Sequence, residues 1–266
     1  MADNLTARIA ALLGEAVAAL APLHGSDLSE VSEVTLASGR RVVAKRGPMA
    51  AAEARMLRAI ARTGCPAPRV IATDETVFVM EYLEEGARPE WGAVGTGLRK
   101  LHAATGAQYG WPEDYAFGPV AIPNAPADDW PAFWAERRLL AAPDALPGDI
   151  RTRVERLAAR LAGLLPQRPR PALLHGDLWG GNVLHGAGTA WLIDPACYYG
   201  DPEVDLAMLH LFGRPGAGFA DAYGPLPAGW QGRRPVYQLW PALVHLRLFG
   251  PGYRGMVEGL LTACDV

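Results

Sequence analysis

Apolar residues in the first third of the chain switch between the spacing of helices and the spacing of strands. Their recurrence every three or four positions predicts an opening helix over residues 3–20 and a second helix over 53–61. Short runs of β-branched and apolar residues, bounded by turn residues, predict strands. The predicted strands are residues 31–36, 41–45, 69–72 and 77–80. The first third is therefore expected to be β-rich with an inserted helix.

The apolar pattern changes near residue 83. Most of the remaining chain has helical spacing, interrupted in places by Pro or Gly. The predicted helices are residues 89–104, 128–141, 149–165, 203–211 and 235–264. Residues 106–127 lack periodicity and are rich in Gly, Pro and aromatic residues, which predicts a long loop. We therefore predict an α+β protein of two lobes: a β-rich N-lobe, residues 1–83, and a larger, mainly helical C-lobe, residues 84–266.

The composition is that of a folded protein with a small negative charge. The chain has 25 Lys and Arg against 28 Asp and Glu, a formal net charge of -3, which argues against a nucleic-acid partner. No apolar run approaches the ~18 residues of a membrane span, and the acidic N-terminus lacks the basic start of a signal peptide. Three distant cysteines form no zinc or disulfide pattern, so we expect reduced thiols in a cytoplasmic protein.

The strongest chemical signal is the sequence HGDLWGGN at residues 175–182, followed by Asp194. The interval from Asp177 to Asn182 equals that of the kinase catalytic loop H-R-D-x-x-x-x-N. Phosphoryl transfer needs one carboxylate that positions the attacking hydroxyl, and oxygen ligands that hold Mg²⁺. We assign the first role to Asp177 and the second to Asn182 and Asp194.

Two details of this segment refine the prediction. Gly176 replaces the Arg of the kinase H-R-D sequence, which points to kinases of small molecules rather than regulated protein kinases. Apolar runs at 183–184 and 191–193 predict a β-hairpin. Such a hairpin would bring Asn182 and Asp194 to the same end.

Lys45 is the candidate phosphate-binding lysine. It ends the predicted strand 41–45, as the kinase lysine ends the strand V-A-I-K and there holds the α- and β-phosphates of ATP. Glu53, on the helix that follows, is the expected partner of its ammonium group. Glu30 and Glu33, on the preceding strand, are competing partners.

ATP is predicted to lie in the cleft between the two lobes. The loop 25–29 stands where a phosphate-covering loop is expected, and its backbone N–H groups and the Ser26 hydroxyl can approach phosphate oxygens. Met80, Glu81 and Tyr82 follow an apolar strand and precede the change of lobe. Their backbone groups are therefore predicted to contact adenine.

Some polar residues outside these motifs are also candidates. His102 lies near the end of a predicted helix, where we expect it to make a structural hydrogen bond. The tryptophan-rich segment 128–134 is expected to be mostly core. Asp128 and Asp129, at its start, are candidates for facing a cationic substrate.

Together these residues resemble the fructosamine kinase, or ketosamine-3-kinase, family, which has the aminoglycoside-phosphotransferase-like version of the protein-kinase fold. Residues 175–182 are similar to the family's HGDLWxGN, and residues 194–208 to its metal-binding segment and the helix after it. Residues 128–130 with 136–139, and residues 248–253, also match. The resemblance therefore covers nearly the whole chain.

The resemblance implies an enzyme that uses ATP and Mg²⁺ to phosphorylate a sugar hydroxyl, normally O-3, of a ketosamine such as a fructosamine or ribulosamine. The labile 3-phosphate then leaves and frees the amine, which is a deglycation. Trp179, beside the base, becomes a candidate for shaping the sugar pocket. The resemblance implies that Asp177 accepts the proton and that Asn182 and Asp194 bind the metal. It also implies that Lys45 and Glu53 form an ion pair and that residues 80–82 contact adenine.

The acceptor side of the chain departs from the family pattern. Residues 114–118 stand where the family often has Asn-x-Ile-Gly, and the Gln expected before Asn124 is absent. The sequence therefore leaves the particular sugar and amine open. Free and protein-bound ketosamines are both candidate partners, and a monomer is favoured.

Two other functions compete with this one. The first is a phosphotransferase of the aminoglycoside or choline kinase type, against which Trp179 and the run 196–200 argue. The second is a catalytically silent ATP-binding regulator. The complete set of kinase residues argues against it: Lys45, Asp177, Asn182 and Asp194.

Overall fold

The structure is a computed structural model that describes residues 2–23, 29–86 and 88–266. Its N-terminal part forms a five-stranded antiparallel sheet with strand order β1-β2-β3-β5-β4. The elements follow in the order α1 (Ala2–Leu13), β1 (Val17–Pro22), β2 (Glu30–Leu36), β3 (Arg41–Arg46), α2 (Ala50–Arg62), β4 (Val70–Thr73) and β5 (Val77–Glu81). The four strands predicted from the sequence are confirmed as β2 to β5, and the predicted second helix is confirmed as α2.

The central strand β3 is covered on both faces. Because side chains alternate along a strand, Val42 and Ala44 face one side, and Val43 and Lys45 face the other. The first pair packs in the small core beneath α1, and Val43 packs in the main core with α2. This alternation turns Lys45 toward α2, the helix that carries Glu53.

The opening helix predicted over residues 3–20 ends at Leu13, and a strand, β1, follows it. Gly14 has φ +67 at the helix end, a left-handed conformation that glycine adopts without a Cβ clash. The backbone then pairs antiparallel with β2 at the edge of the sheet. The helix prediction was therefore wrong for the residues of β1, because hydrogen bonding to the sheet edge outweighs the local helical spacing.

The C-terminal part is mainly helical, with short strands between the helices. Its elements begin with α3 (Trp91–Ala103), β6 (Tyr115–Phe117), β7 (Val120–Ile122), α4 (Trp130–Trp134), a π-helical turn (Ala135–Leu139), α5 (Gly148–Ala158), α6 (Leu161–Leu164) and β8 (Ala172–Leu174). They continue with β9 (Val183–Gly186), β10 (Thr189–Leu192), β11 (Tyr198–Gly200), α7 (Glu203–Leu209), α8 (Phe219–Tyr223), α9 (Trp230–Phe249) and α10 (Arg254–Ala263). Among the residues described, no helix is both long and apolar enough to cross a membrane.

The predictions for this part are confirmed in outline and corrected in detail. The hairpin predicted from the two apolar runs is β9–β10. Residues 106–127, predicted as a loop, contain the hairpin β6–β7, whose three-residue strands are too short to show periodicity. The helix predicted over 149–165 is divided into α5 and α6. The helix predicted over 235–264 is divided into α9 and α10 at Gly250, which has φ +83.

The two parts of the chain share one hydrophobic core. A single cluster of buried residues includes Met56 and Phe78 from the N-terminal part, and Leu192 and Cys197 from the C-terminal part. The Leu192 N–H donates to the Pro66 carbonyl at 3.0 Å, and the Cys197 N–H lies 3.2 Å from the Met56 sulfur. The segment after β10 is therefore held against α2 and the turn that follows it.

Helix α3 packs closely on α8 because Gly95 has no side chain. A Cβ added at Gly95 would lie 2.5 Å from the Phe219 carbonyl oxygen and 3.0 Å from the Tyr223 nitrogen, both in α8. The hydroxyl of Tyr223 lies 2.9 Å from Nδ1 of His102, at the other end of α3. The contact between the two helices therefore supports a polar network that leads into the interior.

Gly95→Ala is expected to lower the free energy of unfolding by about 1–3 kcal/mol, because the added methyl group forces α8 away from α3. Gly92→Ala is the matched control in the same helix, since its added Cβ would meet no atom closer than 3.8 Å. Urea unfolding followed by circular dichroism measures both variants. Equal unfolding midpoints for the two variants would contradict the packing account.

Candidate active site

The segment His175-Gly176-Asp177 follows β8 and makes a sharp turn. Gly176 has φ +83, and an added Cβ would lie only 2.0 Å from the Ala196 carbonyl oxygen. No side chain fits at this point without movement of the backbone. The turn therefore requires glycine where protein kinases have Arg, and it brings Asp177 beside the segment that follows β10.

A buried carboxylate holds this turn from below. Asp205, in α7, accepts hydrogen bonds from the N–H groups of His175 at 2.7 Å and Gly176 at 2.9 Å. His102 Nε2 lies 3.1 Å from the same carboxylate, and Tyr223 contacts the other ring nitrogen of His102. Burial by itself would raise the pKa of Asp205, but the hydrogen bonds from His102 and from the Gly176 backbone hold the pKa below its usual value. The structural role predicted for His102 is thus confirmed.

His175 connects the turn to the end of β10. Its Nε2 lies 2.9 Å from the Ile193 carbonyl, which can only accept, so this nitrogen is the donor. Its Nδ1 then accepts the N–H of Asp177 at 3.3 Å. Burial lowers the pKa of His175, which favours this neutral form.

Asp177 and Asn182 are joined directly. The Asn182 amide nitrogen donates to the Asp177 carbonyl at 2.7 Å and to its carboxylate at 3.0 Å. The amide oxygen of Asn182 therefore remains as an acceptor for another group. Burial raises the pKa of Asp177 to about 7, and the carboxylates of Asp194 and Asp205 act in the same direction. A carboxylate tuned in this way is suited to accept a proton near neutral pH.

Asp194 lies at the same end of the β9–β10 hairpin as Asn182. The Ile193 N–H donates to the Asn182 carbonyl at 3.1 Å, which holds the two segments side by side. Asp194 itself has φ +55, a left-handed conformation that Asp tolerates better than most residues. The backbone thus turns sharply as soon as the hairpin ends.

Lys45 joins the sheet to this end of the hairpin. Its ammonium group donates to Glu53 at 2.8 Å and to Asp194 at 2.9 Å. Although burial opposes the charged form, the two carboxylates raise the pKa of Lys45. The Tyr115 hydroxyl, from β6, lies 3.5 Å from the other oxygen of Glu53. The buried cation therefore has a carboxylate from each part of the chain.

The acids that competed with Glu53 have other partners. Glu30 forms an ion pair with Arg46 at 2.5 Å, and Glu33 forms one with Arg41 at 2.6 Å. Both pairs are partly exposed, unlike the pair formed by Glu53. In the structure, Glu53 is thus the acid on the face of the sheet to which Lys45 points.

A cavity of about 730 Å³ opens over these residues. Its polar end includes Lys45, Glu53, Asp177, Asn182 and Asp194. Its other walls are mostly apolar or aromatic, and they include residues of α9, of β6 and of the segment between β3 and α2. Five charged or amide side chains therefore converge at one end of a pocket of the size that small-molecule sites have.

Trp179 stands at the edge of this cavity. Its ring is 39% exposed, and a Cβ added at Gly181 would lie 2.3 Å from it. The absence of a side chain at Gly181 therefore lets the indole fold back over its own chain. The predicted position beside Asp177 is consistent with this geometry, since both residues line the same cavity.

Asp128 is placed differently from the prediction. It is exposed, it accepts a hydrogen bond from Gln108 at 2.9 Å, and it does not line the cavity. Asp129 accepts the Ala132 N–H at 2.8 Å and so caps α4. Asp129 therefore serves the start of this helix, Asp128 pairs with Gln108, and neither acid lines the cavity where a substrate would bind.

The predicted adenine contacts lie on β5 and just after it, outside the residues that line the cavity. Met80 is buried in the sheet opposite Val43. Glu81 accepts the Arg69 N–H with its side chain at 2.8 Å and donates its own N–H to the Arg69 carbonyl at 3.0 Å. The Arg41 guanidinium lies 3.7 Å above the ring of Tyr82. Ser26, the predicted phosphate contact, lies outside the described residues.

Sequence reasoning missed two features of the site. For Asp205 the spacing predicts only a helix, although an acid among the apolar residues of α7 is itself a signal for a buried polar role. For the aromatic wall formed by α9, the spacing likewise predicts only a helix with an apolar face. Spacing alone does not separate residues that line a cavity from residues of the core.

Comparison with known proteins agrees with this geometry. A family model described as fructosamine kinase matches residues 5–264. A probable ketoamine kinase of Synechocystis is 38% identical over 237 residues, 83% of this chain and 80% of that protein. A probable ketoamine kinase of Thermus thermophilus is 36% identical over 253 residues, 91% of this chain and 92% of that protein.

Solved structures show the fold. A crystal structure from Thermobifida fusca, described as a candidate fructosamine-3-kinase, has TM-score 0.90 and 35% identity and covers 99% of both chains. An aminoglycoside phosphotransferase bound to AMP-PNP and hygromycin B has TM-score 0.67 at 17% identity, covering 98% of this chain and 97% of that one. The predicted α+β, protein-kinase-like fold and the predicted family resemblance are both confirmed. The chain belongs to the fructosamine kinase family.

Proposed function

We propose that this chain transfers the γ-phosphoryl group of ATP, as its Mg²⁺ complex, to a sugar hydroxyl of a ketosamine, normally O-3. The main support is that the described residues bring Lys45, Asp177, Asn182 and Asp194 to one end of a single cavity. Family membership supports the acceptor class, because its relatives are ketoamine kinases by name. The product would lose its phosphate and release the amine, so the reaction would promote deglycation of a free or protein-bound ketosamine.

Asp177 is proposed to orient the acceptor hydroxyl and accept its proton. Its carboxylate faces the cavity, and its backbone is fixed by Asp205 through the neighbouring N–H groups. Phosphoryl transfer depends mostly on positioning and on electrostatic stabilisation of the transferred group. Asp177 lies in a turn whose backbone is fixed, so its carboxylate meets the demand for positioning.

Asn182 and Asp194 suit Mg²⁺ because they offer hard oxygen ligands at one edge of the cavity. Mg²⁺ usually takes only one or two carboxylates from the protein and completes its shell with phosphate and water. When bound, the ion would neutralise the charge of the phosphate oxygens. Relatives of this fold bind AMP-PNP, which supports ATP as the donor.

Lys45 is proposed to hold the phosphates next to this ion. Glu53 keeps the ammonium group at the cavity wall, and Asp194 contacts the same group from the other part of the chain. The adenine end is proposed to lie against residues 80–82, with Ser26 near the phosphates. Because the Glu81 N–H is already bonded to Arg69, backbone groups later in this segment are the better donors to adenine.

Trp179 is proposed to form one wall of the sugar site. It lines the cavity beside Asp177, and its ring is exposed enough to meet a ligand. The ring packs over the backbone at Gly181, which has no side chain, and it can present its other face to the acceptor. Sugars commonly present C–H faces that complement such a surface, whereas their hydroxyls require polar partners.

The proposed reaction is tested by measuring ADP release from MgATP with a panel of acceptors. Ribulosamines, fructosamines and erythrulosamines are expected to stimulate ADP release, and an aminoglycoside and choline are expected not to. The position of the phosphate in the product, determined by NMR, tests the assignment of O-3. Turnover of another alcohol without turnover of any ketosamine would refute the proposed acceptor class.

Asp177→Asn is expected to lower kcat by at least about 10²-fold, because the amide cannot accept the hydroxyl proton. Binding of MgATP should change little, since the amide oxygen can still accept the hydrogen bond of Asn182. Steady-state ADP release and calorimetric titration with MgATP measure the two effects. Asp128→Asn makes the same chemical change at an exposed position outside the cavity and should behave as the wild type.

Asp194→Asn is expected to weaken MgATP binding by at least about tenfold, because a charged ligand of the metal becomes neutral. Binding of ATP in the presence of EDTA should change much less, because the metal is then absent from both proteins. Calorimetric titrations with and without Mg²⁺ separate the two cases. An equal loss in both would show that Asp194 acts on folding or on the nucleotide itself rather than through the ion.

A further inference from the structure

A cluster of exposed and half-buried aromatic rings lines part of the cavity and continues beyond it to Phe212. We call Trp179, Phe212, His245, Phe249 and Tyr253 the aromatic cluster. Ring centroids are 6.0 Å apart between Trp179 and Phe212 and 4.7 Å apart between Phe212 and His245. His245 is 5.4 Å from Phe249 and 5.0 Å from Tyr253. The rings therefore form one continuous surface.

The exposed large hydrophobic side chains of the described residues are gathered on this surface. In the described part of the chain, the large hydrophobic side chains that are exposed are Trp179 at 39%, Phe212 at 38% and Phe249 at 47%. All three belong to this one surface. Exposed aromatic residues gathered in this way commonly mark a ligand site.

The cluster is continuous with the catalytic end of the cavity. Trp179, His245, Phe249 and Tyr253 line the same cavity as Asp177. An acceptor whose hydroxyl reaches Asp177 therefore extends its remaining part along these rings. In a ketosamine, that remaining part is the amine and its substituent.

The alkylamine nitrogen of a ketosamine is protonated at neutral pH, so its binding site must accommodate a cation. Among the described residues that line the cavity, the acids are Glu53, Asp177 and Asp194. Glu53 and Asp194 are bonded to Lys45, and Asp177 is proposed for the acceptor hydroxyl. The described carboxylates that line the cavity therefore all lie near Lys45, where the phosphates are proposed to bind. None of them belongs to the part of the cavity lined by the aromatic cluster.

His245 adds an acceptor rather than a charge to this surface. Its Nδ1 lies 2.8 Å from the Pro241 carbonyl, which can only accept, so Nδ1 carries the hydrogen. Nε2 is then an acceptor in the neutral ring. Burial lowers the pKa of His245, which keeps the imidazole neutral beside a bound cation.

We propose that the aromatic cluster is the subsite for the protonated amine of the acceptor, held by cation–π contacts with the rings in place of an ion pair. Aromatic faces attract an alkylammonium group more strongly as it is desolvated, and aromatic cages recognise such ligands elsewhere. This inference rests on the proposed function and specifies its acceptor as a ketosamine of an alkylamine. It also gives Phe249 and Tyr253 a role in selecting the substrate.

The test compares two acceptors that differ by one group. The first is 1-deoxy-1-(butylamino)fructose, and the second is its ether, 1-O-butylfructose, which has no positive charge. The wild-type enzyme is expected to prefer the amine by about tenfold in kcat/KM, the size of a partly desolvated cation–π contact. The difference should lie mainly in KM, since the reacting hydroxyl is the same.

Phe249→Leu removes the ring and keeps an apolar side chain, and Phe249→Trp keeps a ring. Phe249 is largely exposed at the end of α9, so neither change is expected to impair folding. The preference for the amine over the ether should fall about threefold in Phe249→Leu, the loss expected for one of several cation–π contacts, and persist in Phe249→Trp. Dissociation constants of both acceptors, measured by calorimetry on the AMP-PNP-loaded enzyme, should follow the same order.

The outcomes separate the inference from the proposed function. Turnover of the amine with the same preference in Phe249→Leu as in the wild type overturns the aromatic subsite and leaves the proposed function intact. Ring-dependent binding of the amine without turnover supports the subsite and overturns the proposed reaction. Absence of both binding and turnover of the amine overturns both.

Discussion

The buried carboxylate of Asp205 is the interaction on which the catalytic geometry depends. An anion without solvent is stable only when several donors surround it, and here two backbone N–H groups and His102 supply them. Two of these donors are backbone N–H groups of the turn at Gly176. The carboxylate of Asp205 therefore holds the backbone of the turn rather than a flexible side chain. The position of Asp177 is thus set by the core of the C-terminal part. The same hydrogen bonds account for the close approach of Gly176 to the Ala196 carbonyl. A turn held against Asp205 leaves no room for a side chain at position 176.

A second constraint joins the two parts of the chain through charge. Lys45 is a buried cation on a strand of the sheet, and its two carboxylate partners come from α2 and from the end of the β9–β10 hairpin. Removing either partner would leave charge poorly compensated in a site of low polarity. The same groups are proposed to meet phosphate and Mg²⁺, so the charges that join the two parts of the chain are also those that would bind the nucleotide. The two parts of the chain are therefore held close together by the ion pairs of Lys45.

The sequence allowed the convergence of Lys45, Glu53, Asn182 and Asp194 to be predicted because it depends on local geometry. Asn182 and Asp194 flank one hairpin. Side chains alternate along β3, which turns Lys45 toward α2, and α2 begins soon after β3 and carries Glu53. Contacts between distant segments were not predictable in this way. Neither the pairing of β1 with β2 nor the bond from Asp205 to the turn leaves a periodic signal. The prediction for Asp128 and Asp129 was wrong for a related reason: an acid near the start of a helix can cap it, pair with a distant side chain or face a ligand, and only tertiary structure decides.

The two ends of the cavity recognise their ligands by different physics, and this limits what the family can tell about the substrate. Charged groups at the phosphate end must lie within tenths of an ångström of their partners, so a few residue types at fixed spacing describe it. An aromatic wall gains its affinity from area and from ring faces, which many arrangements of Phe, Tyr, Trp and His provide. The wall here is assembled from Trp179 in the catalytic loop, Phe212 after α7, and residues of α9 and the following turn. Specificity for the amine therefore resides in side chains that spacing along the sequence does not single out, and related kinases with the same phosphate end can differ in the acceptors they select.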